Sequence, residues 1–151
     1  MTPADSHSVS PEKIVGAIEA ELETLTQVLE MLDIEHEALM GNDAGRLEQA
    51  VAAKQNAISA HLQSRSDREA LGLCDSLAEQ IETHPTLLNG LRERALNIVS
   101  ELNRLATESK LLNARNGKLI AGLRERTSAS IKVLRPEAAS ISLYGGSGSA
   151  E

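Results

Sequence analysis

A run of apolar residues from Leu88 to Leu123 constrains the fold of this chain more than any other feature of its sequence. Its members recur at alternating intervals of three and four residues, which is the heptad spacing of a helix that packs against other helices. They are Leu88, Leu91, Ala95, Ile98, Leu102, Leu105, Ser109, Leu112, Asn116, Leu119 and Leu123. The spacing predicts a single long helix over 86–134.

The length of this helix means that it needs partner helices. At ~1.5 Å per residue, an unbroken helix over 86–134 spans roughly 70 Å, more than the diameter of a compact domain of 151 residues. Asn116-Gly117 lies inside it, and glycine within a helix costs about 1 kcal/mol relative to alanine. The pair therefore indicates a soft point, a close approach of another helix, or a break between two shorter helices.

The composition favours an all-α protein. Phe and Trp are absent and Tyr144 is the only aromatic residue, so the core must consist of Leu, Ile, Val and Ala. Such aliphatic cores are typical of helix packing, whereas sheets and enzyme cores usually contain aromatic side chains. We therefore predict an elongated, coiled-coil-like antiparallel helical bundle with long first and last helices. It would form one domain over residues 1–135, followed by a flexible tail over 136–151.

Further helices are predicted before the long one. Ser10 supplies a capping hydroxyl and Pro11 a favourable first residue, so a helix should begin there. Gly41-Asn42-Asp43 predicts a turn, with Asp43 as the cap of a second helix. The first helix carries a heptad seam of Val15, Ile18, Leu22, Leu25, Leu29, Leu32, His36 and Leu39. The predicted helices cover approximately 11–41, 43–71, 75–83 and 86–134.

Charge is distributed unevenly between these helices. Residues 1–41 hold nine acids and one base, whereas residues 85–135 hold four acids and ten bases. Opposite charges beside apolar seams favour the pairing of two helices. We therefore expect the first and last helices to pack against each other, in a bundle that is antiparallel through the second helix.

Nothing in the sequence indicates catalysis, a metal or a cofactor. Cys74 is the only cysteine, which excludes a disulfide framework and a thiolate-rich metal site. A ferritin-like di-iron bundle needs two Glu-x-x-His pairs. Here His36 has Asp33 three residues before it, and neither His61 nor His84 has an acid at that position. We expect His36 to be a partly buried polar residue of the seam. The chain is predicted not to be an enzyme.

Nucleic acid and membrane are poor candidate partners. The net charge of −7 opposes general attraction to phosphates, and no aromatic residue lies among the bases of the last helix to stack on a nucleobase. No apolar run approaches the ~20 residues of a membrane span, and no signal-peptide core follows Met1. We predict a cytoplasmic protein with neither nucleic acid binding nor membrane insertion.

The remaining candidate ligands are helices of other protein chains. The first helix, at about 45 Å, cannot cover the whole of the last one. Around 109–134 the apolar residues spread over several faces, so apolar surface is left at one end of the rod. That surface is either an open groove for another protein or is covered by the second helix or a second copy of the chain. The sequence leaves these alternatives open.

A resemblance narrows the choice. The segment Asn113-Ala114-Arg115-Asn116-Gly117-Lys118-Leu119-Ile120 resembles the N-x-x-N-G-x-hydrophobic signature of the FlgN family of flagellar export chaperones. Leu143-Tyr144-Gly145 with Gly148 is similar to the short tail motif of that family, and the amino-terminal half resembles its helical hairpin. The resemblance covers roughly residues 12–148.

The resemblance implies a cytoplasmic chaperone of bacterial flagellum biogenesis and type III export. Its clients would be the hook-associated proteins FlgK and FlgL, whose amphipathic carboxy-terminal helices it would bind, protect and deliver to the export gate protein FlhA. Tyr144 is the expected contact with FlhA. The expected client-binding residues are Leu112, Asn113, Asn116, Gly117, Leu119, Ile120 and Leu123.

Two other function classes remain open at this point. The first is a helical adaptor or self-associating coiled coil with another partner, which includes a homo-oligomer. The second is a nucleic acid binder that uses the basic last helix, which steep salt dependence of binding to arbitrary DNA would indicate.

Overall fold

The computed structural model describes residues 9–84, 86 and 88–134, and within these ranges it contains helices and no strand. The α-helices are α1 (Pro11–Met40), α2 (Ala44–Ala70), α3 (Leu77–Thr83) and α4 (Arg92–Leu134). A 3-10 turn over Asn89–Leu91 directly precedes α4. The predicted all-α fold with long first and last helices is confirmed.

The caps expected from the sequence form at the first two helices. The Ser10 side chain accepts a hydrogen bond from the amide of Lys13 at 3.3 Å and begins α1. Asp43 accepts one from the amide of Arg46 at 3.0 Å and begins α2. Between the two helices Asn42 adopts a positive φ of 52°, a conformation that asparagine tolerates better than most residues. The short turn places α2 beside α1.

Helix α1 is the central element of the bundle. Both α2 and α4 pack against it, but among the described residues no Cα atom of α2 lies within 8 Å of one in α4. Because α1 contacts helices on two sides, it buries more than the single predicted seam. The additional buried residues of α1 are Ile14, Glu21, Val28, Glu35 and Ala38. The bundle is therefore splayed, with a gap between α2 and α4.

Two buried ion pairs fix the register of α1 against α2. Glu21 of α1 binds Arg68 of α2, with 2.6 Å between Oε2 and Nε. Glu35 of α1 binds Lys54 of α2, with 2.7 Å between Oε2 and Nζ. The pairs are two heptads apart on both helices and run in opposite directions along them, as an antiparallel hairpin requires. A shift of one residue would bury unpaired charges, so the pairs select this alignment.

Helix α4 runs parallel to α1, because the chain reverses direction twice between them. Arg94 at the start of α4 pairs with Glu19 near the start of α1. Further along both helices, Arg115 lies 3.5 Å from Asp33. These pairs of basic α4 residues with acidic α1 residues confirm the predicted packing of the first and last helices.

The beginning of α4 differs from the prediction. The helix starts at Arg92 and not near Thr86, because Asn89 takes a positive φ of 47° and the chain turns there. Leu88 precedes this turn and is nevertheless buried at 1% exposure, so the heptad pattern found a core residue outside the helix. The pattern alone cannot distinguish a helical residue from a buried turn residue at the same spacing.

Gly117 does not break α4, which is one continuous α-helix to Leu134. A Cβ atom placed on Gly117 would have no neighbouring atom within 4 Å, so within the described chain the close contact with another helix is made by Asn116 and not by Gly117. The glycine lies on an exposed face of the helix. Its lack of a side chain has no packing role inside the described bundle.

The segment that crosses from α2 to α4 closes one end of the bundle, here called the closed end. Its buried side chains join the core beside α1 and α4, and they are Leu73, Leu77, Ile81 and Leu88. Arg68 anchors the crossing, since its Nη1 donates to the carbonyls of Leu73 and Cys74 at 2.9 and 2.8 Å. Hydrogen bonds from Arg68 and Arg65 also lower the pKa of Asp75. The opposite end, where α1 turns into α2, is the open end.

Candidate functional site

The residues of the Asn116-Gly117 region lie on different faces of α4. Asn116 is buried against α1 at 1% exposure, and Leu112 packs against the edge of the core. Asn113 and Gly117 are exposed. The other three residues of the predicted client site, Leu119, Ile120 and Leu123, are partly exposed and line open grooves. The sequence-predicted set thus does not form one continuous surface.

A buried polar junction joins the three long helices. The Glu35 carboxylate, which is fully buried, binds Lys54 of α2 through Oε2 and accepts a hydrogen bond from Asn116 Nδ2 of α4 at 2.9 Å through Oε1. Asn116 Nδ2 also donates to the carbonyl of Leu32 at 2.8 Å. One carboxylate of α1 therefore fixes the positions of α2 and α4 at the same level of the bundle.

The remaining hydrogen-bonding group of Asn116 is also occupied. Arg115 Nε donates to Asn116 Oδ1 at 3.2 Å, and the same guanidinium reaches Asp33 of α1. Asn116 thus uses both its amide nitrogen and its oxygen inside the chain. Its side chain holds α4 in place and is not available at the surface of this structure.

Beyond the junction the gap between α2 and α4 opens into a groove, here called the α2–α4 groove, with a volume of about 490 Å³. One wall comes from α1 and α2 and the other from α4. Its apolar lining consists of Ala38, Ala44, Leu47, Val51, Ile120 and Leu123. Its polar lining consists of Asn42, Asp43, Glu48, Arg124 and Thr127. An apolar floor with a polar rim suits the apolar face of an amphipathic helix.

A second groove lies on the other flank of α4, between it and the end of α1, and is here called the α1–α4 groove. Its volume is about 690 Å³, and it shares Asn42, Leu123 and Thr127 with the first groove. Its other lining residues are Leu39, Met40, Leu119, Arg126 and Ser130. Met40 is 66% exposed and adds a large apolar side chain to this lining. The open end therefore presents apolar surface on both flanks of α4.

Charge differs between the walls of the α2–α4 groove. Asp43 and Glu48 lie on the α2 side, at the exposed start of that helix. Arg124 lies on the α4 side. The two walls of the groove therefore carry charges of opposite sign.

Several groove residues were not among the sequence-predicted site residues. From α1, α2 and the turn between them these include Ala38, Met40, Asn42, Leu47 and Val51, and from α4 they are Arg124, Arg126, Thr127 and Ser130. Leu47 and Val51 carried a signal, since their spacing of four residues places two apolar side chains on one face of the second helix. Their contribution to a groove depends on the splay of α2 from α4, which no local pattern encodes.

Tyr144 and the tail motif lie outside the described residues. So does the whole segment 136–151 that was predicted to be flexible.

Within the ranges that the structure describes, no group of three or more His, Cys, Asp or Glu side chains could hold a metal ion. None of the helices in those ranges combines the length and apolar character needed to cross a bilayer. The open end is thus described by its apolar grooves and the charged groups on their rims.

Comparison with known proteins identifies the family. The family model described as FlgN protein matches residues 1–151. No curated protein and no solved structure matches the sequence. The family match agrees with the helical bundle, with its long first and last helices and its exposed apolar end. The chain therefore belongs to the FlgN family, and its general role is that of a flagellar export chaperone.

Proposed function

We propose that this protein binds the carboxy-terminal amphipathic helices of the hook-associated proteins FlgK and FlgL in the cytoplasm, and delivers them to the export gate protein FlhA. The observation that carries the proposal is the α2–α4 groove, an apolar cleft at the open end of a FlgN-family chain. An amphipathic helix would otherwise expose its apolar face and self-associate. Burial in the groove keeps such a client monomeric until export.

The predicted site residues take different roles in this proposal. Ile120 and Leu123 contact the client in the α2–α4 groove, and Leu119 with Leu123 extends the apolar surface into the α1–α4 groove. Leu112 supports α4 from the core side. Asn116 acts indirectly, because its hydrogen bonds to α1 set the position of the groove wall. Asn113 and Gly117 present exposed backbone and amide surface beside the groove.

A binding measurement with matched variants tests the groove. The probe is a labelled peptide of the last ~40 residues of FlgK, long enough for a helix of ~60 Å, with the FlgL peptide measured in parallel. Ile120→Asp and Leu119→Asp should each weaken binding by about tenfold or more, because a charge placed in an apolar contact is strongly unfavourable. Binding is read by fluorescence anisotropy, and folding by circular dichroism.

Leu111→Asp is the matched control. Leu111 lies on the same helix, is 68% exposed and lines neither groove, so its substitution adds the same charge away from the proposed contact. It should bind the peptide as the wild type does. If the groove variants remain folded and bind like Leu111→Asp, the client is held elsewhere.

Delivery to the export gate rests on the tail. We propose that Tyr144 contacts FlhA, because Leu143-Tyr144-Gly145 with Gly148 resembles the tail motif of the FlgN family, and an aromatic side chain is a suitable anchor for a partner surface. Tyr144→Ala should lose binding to the cytoplasmic domain of FlhA and keep the client peptide. Loss of both activities would contradict a separate role for the tail.

A second copy of the chain is the alternative occupant of the open end. The observation that favours it is the length of α4, which at 43 residues extends past the 30-residue α1. Sedimentation measurements over a range of concentrations decide the matter. A homo-oligomer that dissociates when client peptide is added would mean that both compete for the same apolar surface.

A further inference from the structure

The helix faces that form the two walls of the α2–α4 groove continue past the polar junction. On α2, the groove residues Leu47 and Val51 share a helix face with Ile58 and Leu62, which are seven and eleven residues after Val51. Ile58 is 37% and Leu62 is 54% exposed, so this apolar face remains uncovered. From Leu47 to Leu62 it is about 22 Å long, or about four helical turns.

The facing wall on α4 also continues past the groove as one exposed helix face. Ile120 and Arg124 line the groove, and Lys110, Asn113 and Gly117 precede them at alternating intervals of three and four residues. All three preceding residues are exposed. The face formed by these residues and the apolar face of α2 together define the α2–α4 furrow.

The two walls of the furrow do not pack directly against each other. Directly packed helices have axes 8–10 Å apart and bring their Cα atoms closer than that, yet no Cα of α2 comes within 8 Å of one in α4 among the described residues. At the closed end the crossing segment fills the bundle with buried side chains from α3 and its flanking turns. No described segment does so along the furrow.

We propose that one client helix of about four turns lies in the α2–α4 furrow as an additional helix of the bundle, with its closest approach to the chaperone at Gly117. This inference deepens the proposed function and depends on it. It adds the exposed face of α2 to the client site and gives Gly117 a specific role.

Gly117 is suited to that role for a steric reason. A Cβ atom there meets no atom of the chain within 4 Å, so the glycine is not required by the packing of the free protein. Gly117 also lowers the stability of the 43-residue helix α4 relative to alanine at the same position. A missing side chain on the furrow wall lets the backbone of a docked helix approach closely, as small residues do in tight helix pairs.

The charges of the walls define the occupant further. Asp43 and Glu48 lie on the α2 side, and Lys110 with Arg124 lies on the α4 side. The client helix therefore has an apolar stripe, a basic edge toward the start of α2 and an acidic group opposite Lys110. A second copy resting on the α2 face alone would find only four apolar side chains, whereas stable interfaces bury about 800 Å² per partner.

Two glycines of the same helix provide the test. Gly122 also lies within α4, and a Cβ atom placed on it would likewise meet no atom within 4 Å, but it does not belong to the furrow face. Gly117→Ala and Gly122→Ala should both raise the melting temperature of the free protein, by about 2–4 °C, because alanine is the better helix former. Only the Gly117 variants should weaken binding of the labelled FlgK peptide.

The expected loss is about tenfold for Gly117→Leu and less for Gly117→Ala, because a larger side chain holds the helix further away. Gly122→Leu should bind like the wild type. Ile58→Asp and Leu62→Asp should also weaken binding of the full peptide by about tenfold. They should not change binding of a truncated peptide of about two turns that reaches only the groove.

The outcomes separate the two proposals. If Ile120→Asp abolishes peptide binding while Gly117→Leu and Leu62→Asp bind the peptide as the wild type does, the client uses the groove alone and the furrow inference is overturned. If Gly122→Leu loses binding and Gly117→Leu does not, the client lies on the other flank of α4. If Ile120→Asp also binds normally, the proposed function fails together with the inference. Weaker self-association of Leu62→Asp with unchanged client binding would assign the α2 face to a second copy.

Discussion

The two ends of the bundle are built from the same helices but complete their packing differently. Each contains a buried glutamate of α1 paired with a base of α2, Glu21 with Arg68 and Glu35 with Lys54. At the closed end, the segment from α2 to α4 adds buried side chains and covers the ion pair. At the open end, Asn116 of α4 completes the pair, and the helices then diverge around two grooves.

This difference shows how one fold separates stability from binding. The closed end satisfies its polar groups and fills its apolar space within the chain. The open end pairs Glu35 with Lys54 and Asn116 within the chain but leaves apolar surface uncovered, because no described segment enters the gap. We therefore expect substitutions at the closed end to act on stability, and substitutions at the open end to act on client binding.

The largest expected effect is at the closed-end ion pair. Arg68→Met leaves the Glu21 carboxylate and two backbone carbonyls without their donor, and it should lower the free energy of unfolding by about 3–5 kcal/mol. Urea denaturation measures the loss. Arg65→Met, which removes a half-exposed guanidinium from surface pairs, should cost about 1 kcal/mol or less. Equal costs would contradict a structural role for burial at this end.

Matched truncations of apolar side chains compare the ends directly. Ile81→Ala removes a core side chain that is 2% exposed, and should cost about 2–4 kcal/mol. Leu123→Ala changes a groove residue that is only partly buried, so it should lower the free energy of unfolding by only about 1 kcal/mol. It should instead weaken binding of the client peptide. Similar losses of stability for both variants would show that the open end is packed as well as the closed end.

Two asparagines of α4 test the polar junction. Asn116→Ala removes the hydrogen bonds to Glu35 and Leu32, and should lower the free energy of unfolding by about 1–3 kcal/mol. Asn113→Ala, three residues earlier on an exposed face, should change it by about 0.5 kcal/mol or less. If the two variants are equally stable, the junction does not hold α4 in place.

The smallest expected effect concerns pH, at a residue between the two ends. Burial lowers the pKa of His61 from its usual 6.5, so the unfolded chain takes up a proton more readily than the folded protein does. Stability from this group is complete above about pH 6.5 and falls as the pH drops through the folded-state pKa. His61→Gln should reduce the change in melting temperature between about pH 7 and about pH 5. Identical profiles for both proteins would contradict the assignment.

The local elements followed from the sequence because they depend on near neighbours. Ser10 and Asp43 cap their helices as their side chains predict, since a cap contacts an amide three residues away. The heptad seam predicted most of the α1 and α4 core for the same reason. The start of α4 was misplaced because the pattern of spacing continues through the turn at Asn89.

The contacts of Arg68 and Asn116 could not be predicted from local sequence. Arg68 lies in the polar segment Ser66-Asp67-Arg68-Glu69, yet it is 2% exposed and is paired with a residue 47 positions earlier. Asn116 reads as a site residue, yet its amide binds Glu35, 81 positions earlier. Contacts between residues so distant in the chain depend on helix orientation, which neither local spacing nor composition specifies.

The sequence by itself determined that this chain forms long amphipathic helices with aliphatic seams, that its first and last helices attract each other by charge, and that it resembles the FlgN family. Only the tertiary structure decided that α1 lies between α2 and α4, and that the grooves of the open end include residues of α1 and α2. Helix formation and capping depend on contacts within one or two turns. The width of a gap depends on three helix axes together, and these are set by buried contacts that span the whole chain.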